Sequence, residues 1–352
     1  MYTVENAIRL TGDPRSRGIQ HGQKLASQIK RLLADDCARI NCHLSHPLSM
    51  EKIYTYVQPF ASEIERELPS IAEEIKGLAE GAEISYEQAL LLQVRREVLM
   101  QISKGDNSDC SSFALPINTL TVAQTIDLNS SFSEFGTVFQ IAKWKETPEI
   151  LMFSFAGLLG YMGMNSSGLA IAINMVSSGD WQLGVPPYLL VRHLLELHTV
   201  EECIEAIAKI RRSSSRSLTI CDVNRCITVE MTATSFVILE GDKLFHTNHY
   251  LSSDLSSKDT INFLARHSSV QRLSRLQELA AKLPNMPSTE NIFELFADHE
   301  NYPVGLCSHA NNDLRRTETV ATVVMHPNIG TMYVRKGMPC SSHKIEKYTV
   351  SI

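Results

Sequence analysis

The sequence predicts a layered α+β protein in which helices cover mainly antiparallel sheets. Three observations carry this. The first hundred residues show helical apolar spacing almost throughout. From Cys110 onward, short alternating or wholly apolar runs separated by turn residues replace it. Two helical stretches then interrupt those runs before strands resume.

Taken in order, Arg17 to Leu33 places Ile19, Leu25, Ile29, Leu32 and Leu33 on one face. Met50 to Leu68 repeats the pattern with Ile53, Val57, Phe60 and Ile64, and Pro69 closes it. Ile71 to Ala82 is a third helix. Ser85 opens a fourth as N-cap, with Gln88 three residues on as in a capping box, and it runs to about Met100. The expected strands are Ser112–Leu115, Thr121–Asp127, Val138–Trp144, Ile150–Phe155, Gly168–Asn174, Ser217–Cys221, Ile227–Met231, Phe236–Leu239, Phe245–Asn248, Val320–Met325 and Thr331–Val334. Helices are expected over Tyr188–Ile210 and over Val270–Leu283 with Ile292–Phe296. There is no internal repeat.

Composition narrows the function. A net charge of −6 gives no reason to expect nucleic acid as a partner. The densest basic cluster, Arg211-Arg212-Ser213-Ser214-Ser215-Arg216, reads as a solvated helix exit. No run reaches the 18 or so apolar residues of a membrane span. Glu5, Arg9 and Asp13 stand where a secretion signal would be apolar, so a cytoplasmic location is expected. The eight cysteines then read as reduced thiols. Cys37, Cys42, His43 and His46 match no standard zinc spacing, and no metal centre is expected. Cys221 and Cys226 flank a hairpin turn and read as reduced.

The most informative segment is Asp109-Cys110-Ser111-Ser112-Phe113-Ala114. It joins a polar stretch, Lys104 to Asp109, to a strand. A chain cut before Cys110 would leave that residue with both a thiol and a free α-amine. An α-amine titrates near pH 7.7–8.0 and can serve as base for its own side chain. The other reading of Cys110 is a buried core thiol.

Further segments, taken with this one, resemble the acyl-coenzyme A:6-aminopenicillanic-acid acyltransferase family, of the isopenicillin-N acyltransferase type. They are Glu5 to Gly22, Arg95-Arg96-Glu97, Cys110-Ser111-Ser112, Gln124-Thr125-Ile126-Asp127, Gly163 to Ala170 followed by Asn174, His246-Thr247-Asn248-His249, and Glu300-Asn301-Tyr302-Pro303. Their order and spacing carry the likeness. The resemblance implies a four-layer αββα sandwich of two antiparallel sheets between helices, the N-terminal-nucleophile hydrolase fold. It also implies a precursor that cleaves itself between Asp109 and Cys110. A helical segment 1–109 and a segment 110–352 would then form one αβ heterodimer.

On this resemblance Cys110 is the nucleophile and forms an acyl-thioester. Asn248 supplies an oxyanion donor, or else turns a strand end. Asp127 holds the new α-amine, or else caps a turn. Asp109, Cys110, Ser111 and Ser112 take part in processing. Arg95 and Glu97 form an ion pair near the cleavage loop or are exposed helix charges. Asn165, His246, His249, Ser308 and His309 line the site or are structural. No cofactor is implied, although an acyl-coenzyme A donor is compatible with the chemistry.

Two departures matter. Asp109 stands where fungal members have Gly, which suits the strained backbone of an N-to-S acyl shift. Ser308-His309 follows Cys307 where those members carry Arg, which argues against assuming a penicillin-type substrate. The expected activity is acyl transfer from an amide or thioester to an amine or water, in secondary metabolism. A dedicated N-acyl or β-alanyl amine amidohydrolase is one alternative. An unprocessed, non-catalytic scaffold is the other.

Overall fold

Period-two burial along adjacent strands sorts the chain into layers. In the computed structural model, which describes residues 2–102, 109–310, 317–341 and 343–352, Phe113, Leu115, Ala123, Val324 and Tyr333 point to one side of a sheet. There they pack with Leu276, Ile292, Phe293 and Phe296. Their chain neighbours Ala114, Val122, Val323, Met325, Met332 and Val334 point the other way, into the main core. Successive side chains of a strand face opposite sides, so one sheet serves two cores.

That sheet has seven strands, in the order Tyr2–Val4, Ile345–Thr349, Thr331–Lys336, Thr317–His326, Thr119–Asn129, Ser112–Ile117 and Leu244–His246. The second has eight: Phe236–Glu240, Cys226–Met231, Arg216–Cys221, Ala170–Asn174, Met162–Asn165, Ile150–Phe155, Gly136–Ile141 and Ile8–Leu10. Pairing is antiparallel except at two edges, where Tyr2–Val4 and Ile8–Leu10 join in parallel. Helices Phe263–Ala281 and Thr289–Phe296 cover the seven-stranded sheet. The helices of the first hundred residues cover the other, where His21 packs on Phe139 with ring centroids 4.5 Å apart. This is the expected four-layer αββα arrangement.

Local chemistry explains the helical layer. Asp13 caps helix Pro14–Ala34 by accepting from the Ser16 N–H at 2.8 Å, with Pro14 in the first turn. The capping box at Ser85 forms in both directions, at 2.9 and 3.2 Å. Helices Pro14–Ala34 and Pro69–Ala82 cross through glycine. A Cβ on Gly18 would stand 2.0 Å from the Glu74 carbonyl oxygen, and one on Gly77 2.1 Å from that of Arg15.

Four strands lie outside the expected set: Met162–Asn165, Ile345–Thr349 and the edge strands Tyr2–Val4 and Ile8–Leu10. Each is short or mixed in polarity, and its partners decide it. The basic cluster is corrected outright. Arg212, Ser213, Ser214, Ser215 and Arg216 are buried, not a solvated exit. Arg216 lies over the Tyr188 ring at 5.6 Å, and Arg212 donates to the carbonyl of Ile207. Burying such charges requires partners, and packing supplies them here. Among the described residues no helix is long and apolar enough to cross a membrane.

Candidate active site

The two sheets are stitched together beside Cys110. The Gln124 side chain accepts from the Ile173 N–H at 2.9 Å and donates to its carbonyl at 2.6 Å. Ser112 Oγ donates to Asn174 Oδ1 at 2.5 Å. Cys110 precedes strand Ser112–Ile117 and is 5% exposed.

Two side-chain amides converge on its thiol. Asn248 Nδ2 lies 3.1 Å from Sγ, and Asn174 Nδ2 lies 3.2 Å from it. Asn248 Oδ1 also accepts the backbone N–H of Cys110 at 3.0 Å. Asn248 is therefore not simply a strand-end turn residue. Its own backbone is held by Ser269 Oγ at 2.7 Å. Burial pushes the Cys110 thiol up, against the Met175 backbone, the Asn248 amide and the Arg272 charge.

Arg272 organises the cluster. Nη1 donates to the Cys110 carbonyl and to Ser111 Oγ, both at 2.9 Å. Nη2 donates to Asn248 Oδ1 at 2.9 Å and lies 3.1 Å from the Asp109 carboxylate. The sequence reading missed this residue. Its signal was available: Ser268, Ser269, Arg272 and Leu276 share the buried face of helix Phe263–Ala281. Polar residues there occupy the stripe that an amphipathic helix gives to apolar ones. Asn174, given no role beforehand, is the second addition.

Asp127 lies within strand Thr119–Asn129 rather than capping a turn. Its N–H donates to the Asp109 carbonyl at 3.0 Å, so the bond between Asp109 and Cys110 is held in an isolated bridge. Its Oδ1 accepts from Thr319 Oγ1 at 2.6 Å, and its Oδ2, fully buried, has no partner among the described residues. Burial pushes its carboxyl up to about 7, against the pull of Arg272 and Thr319. Ser111 N–H donates to Thr125 Oγ1 at 3.1 Å.

The other expected residues divide. His246 pairs with Ser112 across the strands, but its ring is committed elsewhere: Nε2 to Glu230 at 2.9 Å, Nδ1 to the Thr247 carbonyl at 2.8 Å. His249 contacts Ser269 at 2.7 Å, and burial holds it down at about 4. Ser308 exchanges hydrogen bonds with Thr319, one residue removed from Asp127. His309 lies against His299, Cys307 and Cys340.

Asn165 builds a turn and donates to the carbonyls of Leu195 and Leu197, with Gly168 at φ +81. Glu97 is not an exposed helix charge. It is fully buried, accepts from Ser214 Oγ at 2.8 Å, and burial pushes its carboxyl up. Arg95 donates to the Ala38 carbonyl at 2.6 Å and lies over Phe132. It lines a pocket with Phe132, Phe155, Tyr161, Tyr188 and Arg96.

The sequence profile described as acyl-coenzyme A:6-aminopenicillanic acid acyl-transferase matches residues 119–340. The chain belongs to this family. It is 24% identical over 338 residues to the acyl-coenzyme A:6-aminopenicillanic-acid-acyltransferase 40 kDa form of Emericella nidulans, covering 94% of this chain and 92% of that one. Membership places it in a family of acyl-transferases. Two solved structures are more distant, each at 14% identity and covering 69% of this chain. Penicillin V acylase from Agrobacterium tumefaciens has a TM-score of 0.47, with 86% of its own chain covered. A conjugated bile acid hydrolase from Clostridium perfringens has 0.44, with 97% covered.

Proposed function

We propose that this family member is a self-activating cysteine acyl-transfer enzyme with Cys110 as nucleophile. One observation carries the reading: a single amide, Asn248, touches both the thiol and the backbone nitrogen that cleavage would turn into an amine. A core thiol has no need of two amide donors and an arginine clamp.

In processing, Sγ attacks the Asp109 carbonyl carbon, whose oxygen already accepts from the Asp127 N–H. The peptide nitrogen leaves with a proton as the α-amine. Water then cleaves the thioester, giving an Asp109 carboxylate and a free thiol. The Oδ2 of Asp127, without a partner among the described residues, is available to accept a hydrogen bond from the new α-amine.

In turnover the α-amine takes the thiol proton and Sγ attacks the substrate carbonyl. Asn248 and Asn174 stabilise the oxyanion, and the leaving group departs with the proton. An amine or water, deprotonated in turn, releases the acyl group from sulfur. The aromatic cavity beyond Tyr161 suits an apolar acyl chain.

Intact mass under denaturing conditions tests this. Wild type should give fragments of 109 and 243 residues, and Cys110→Ala one chain. An uncut wild type whose thiol resists iodoacetamide would overturn the reading in favour of the scaffold. Product analysis with and without an added amine separates transferase from amidohydrolase.

A further inference from the structure

A second cluster lies outside the catalytic constellation. Donor atoms of His299, Cys307, His309 and Cys340 all lie within 4.8 Å of one another. The two Nε2 atoms of His299 and His309 are 2.9 Å apart, and His309 Nε2 is 3.4 Å from Cys307 Sγ and 3.6 Å from Cys340 Sγ. Ordinary zinc bond lengths in a regular tetrahedron require edges of about 3.3 Å between nitrogens and about 3.6 Å between nitrogen and sulfur. The two nitrogen–sulfur edges at His309 are close to this value, and the nitrogen–nitrogen edge is shorter by about 0.4 Å. The donor set contains no carboxylate, and two thiolates with two imidazoles in tetrahedral reach select zinc over calcium or magnesium.

We propose that His299, Cys307, His309 and Cys340 form a structural site for a zinc-type divalent cation, revising the expectation that the chain holds none. The spacing hid it. Three ligands come from one loop, and Cys340 comes from the turn after strand Thr331–Lys336. That turn is held by the Arg335 hydrogen bond to the Pro339 carbonyl at 2.5 Å and by the Ser341 N–H to the Met338 carbonyl at 2.9 Å. The earlier candidates do not converge: Cys37 Sγ donates to the Leu48 carbonyl and Cys42 Sγ to Asp36.

Four protein ligands close the site, so the ion's role is to fix structure. Ser308, between two ligands, exchanges hydrogen bonds with Thr319 at 3.0 and 3.1 Å, and Thr319 holds Asp127. The ion thus ties the loop to the strand beneath the catalytic cluster. All four ligands lie in segment 110–352, so the site does not depend on cleavage at Cys110.

The test is elemental analysis of the full chain, purified in reductant without a chelator or histidine tag. About one zinc per chain is expected. Cys340→Ala and His309→Ala should lose it, whereas Cys42→Ala, an exposed thiol elsewhere, should keep it. Cobalt(II) added to stripped wild type should give the visible and thiolate charge-transfer bands of a tetrahedral site, absent in Cys340→Ala. Folded wild type that binds neither metal would overturn the proposal. So would full metal retention in Cys340→Ala, or a Cys307–Cys340 disulfide in protein isolated without reductant.

Discussion

Asn248 grips Cys110 at two atoms, with Oδ1 3.0 Å from the backbone nitrogen and Nδ2 3.1 Å from the sulfur. An amide can do both only because its two ends differ, one accepting and the other donating. Asn248→Ala should lower turnover by about 10²–10³, the usual loss of an oxyanion donor. Asn248→Asp keeps the acceptor and replaces the donor, so it should also lose turnover. Steady-state rates on pre-processed protein check both.

Arg272 should be needed before and after cleavage, because it holds Cys110, Ser111 and Asn248 together. Arg272→Gln removes a charge-assisted donor from each, at about 1.5–3 kcal/mol per bond. Slower appearance of the two fragments and a lower melting temperature are expected. Unchanged fragment formation in a folded Arg272→Gln protein would refute the assignment.

Asp127 makes a prediction in pH. Its native carboxyl is raised to about 7 by burial, above its unfolded value. The native state therefore holds a proton that the unfolded state releases, and stability falls as pH rises between the two values. In the uncut Cys110→Ala background this penalty should reach about 4 kcal/mol above pH 7. Asp127→Asn should abolish it. Urea denaturation from pH 4 to 8, with and without Asp127→Asn, measures the difference.

His246 should prove structural. Burial pushes Glu230 up, but the bond from His246 and the N–H groups of Leu251 and Ser252 outweigh it, and its carboxyl lies below its ordinary value. That stabilisation is present above the ordinary carboxylate pKa and is lost as pH falls through the lowered one. His246→Ala breaks a fully buried pair and should cost about 3–5 kcal/mol. Turnover per folded molecule should change little, since the α-amine is the proposed base. A large kcat loss at full folding would instead make His246 catalytic.

Much of this was legible in the chain because its cause is local. Helix Met50–Glu67 follows from apolar spacing and from Pro69 beyond its end. Strand Ile150–Phe155 follows from an apolar run ending at a glycine turn. Cys110, Asp127 and Asn248 stood out through short segments in a telling order. Arg272 did not, since an arginine on a helix is ordinary until the helix is seen to press that face onto Cys110. Arg216 misled for the same reason, and Glu97 was left between an ion pair and an exposed charge: only packing shows which charges are buried.

The sequence by itself determined the helices, most strands and the layered class, because propensity, periodicity and capping act within a few residues. The tertiary structure decided which polar groups meet. Asn248 lies 138 residues from Cys110, and Arg272 lies 162. His309 lies 31 residues from Cys340. Contacts over such separations depend on strand order and sheet packing, and no local pattern encodes them.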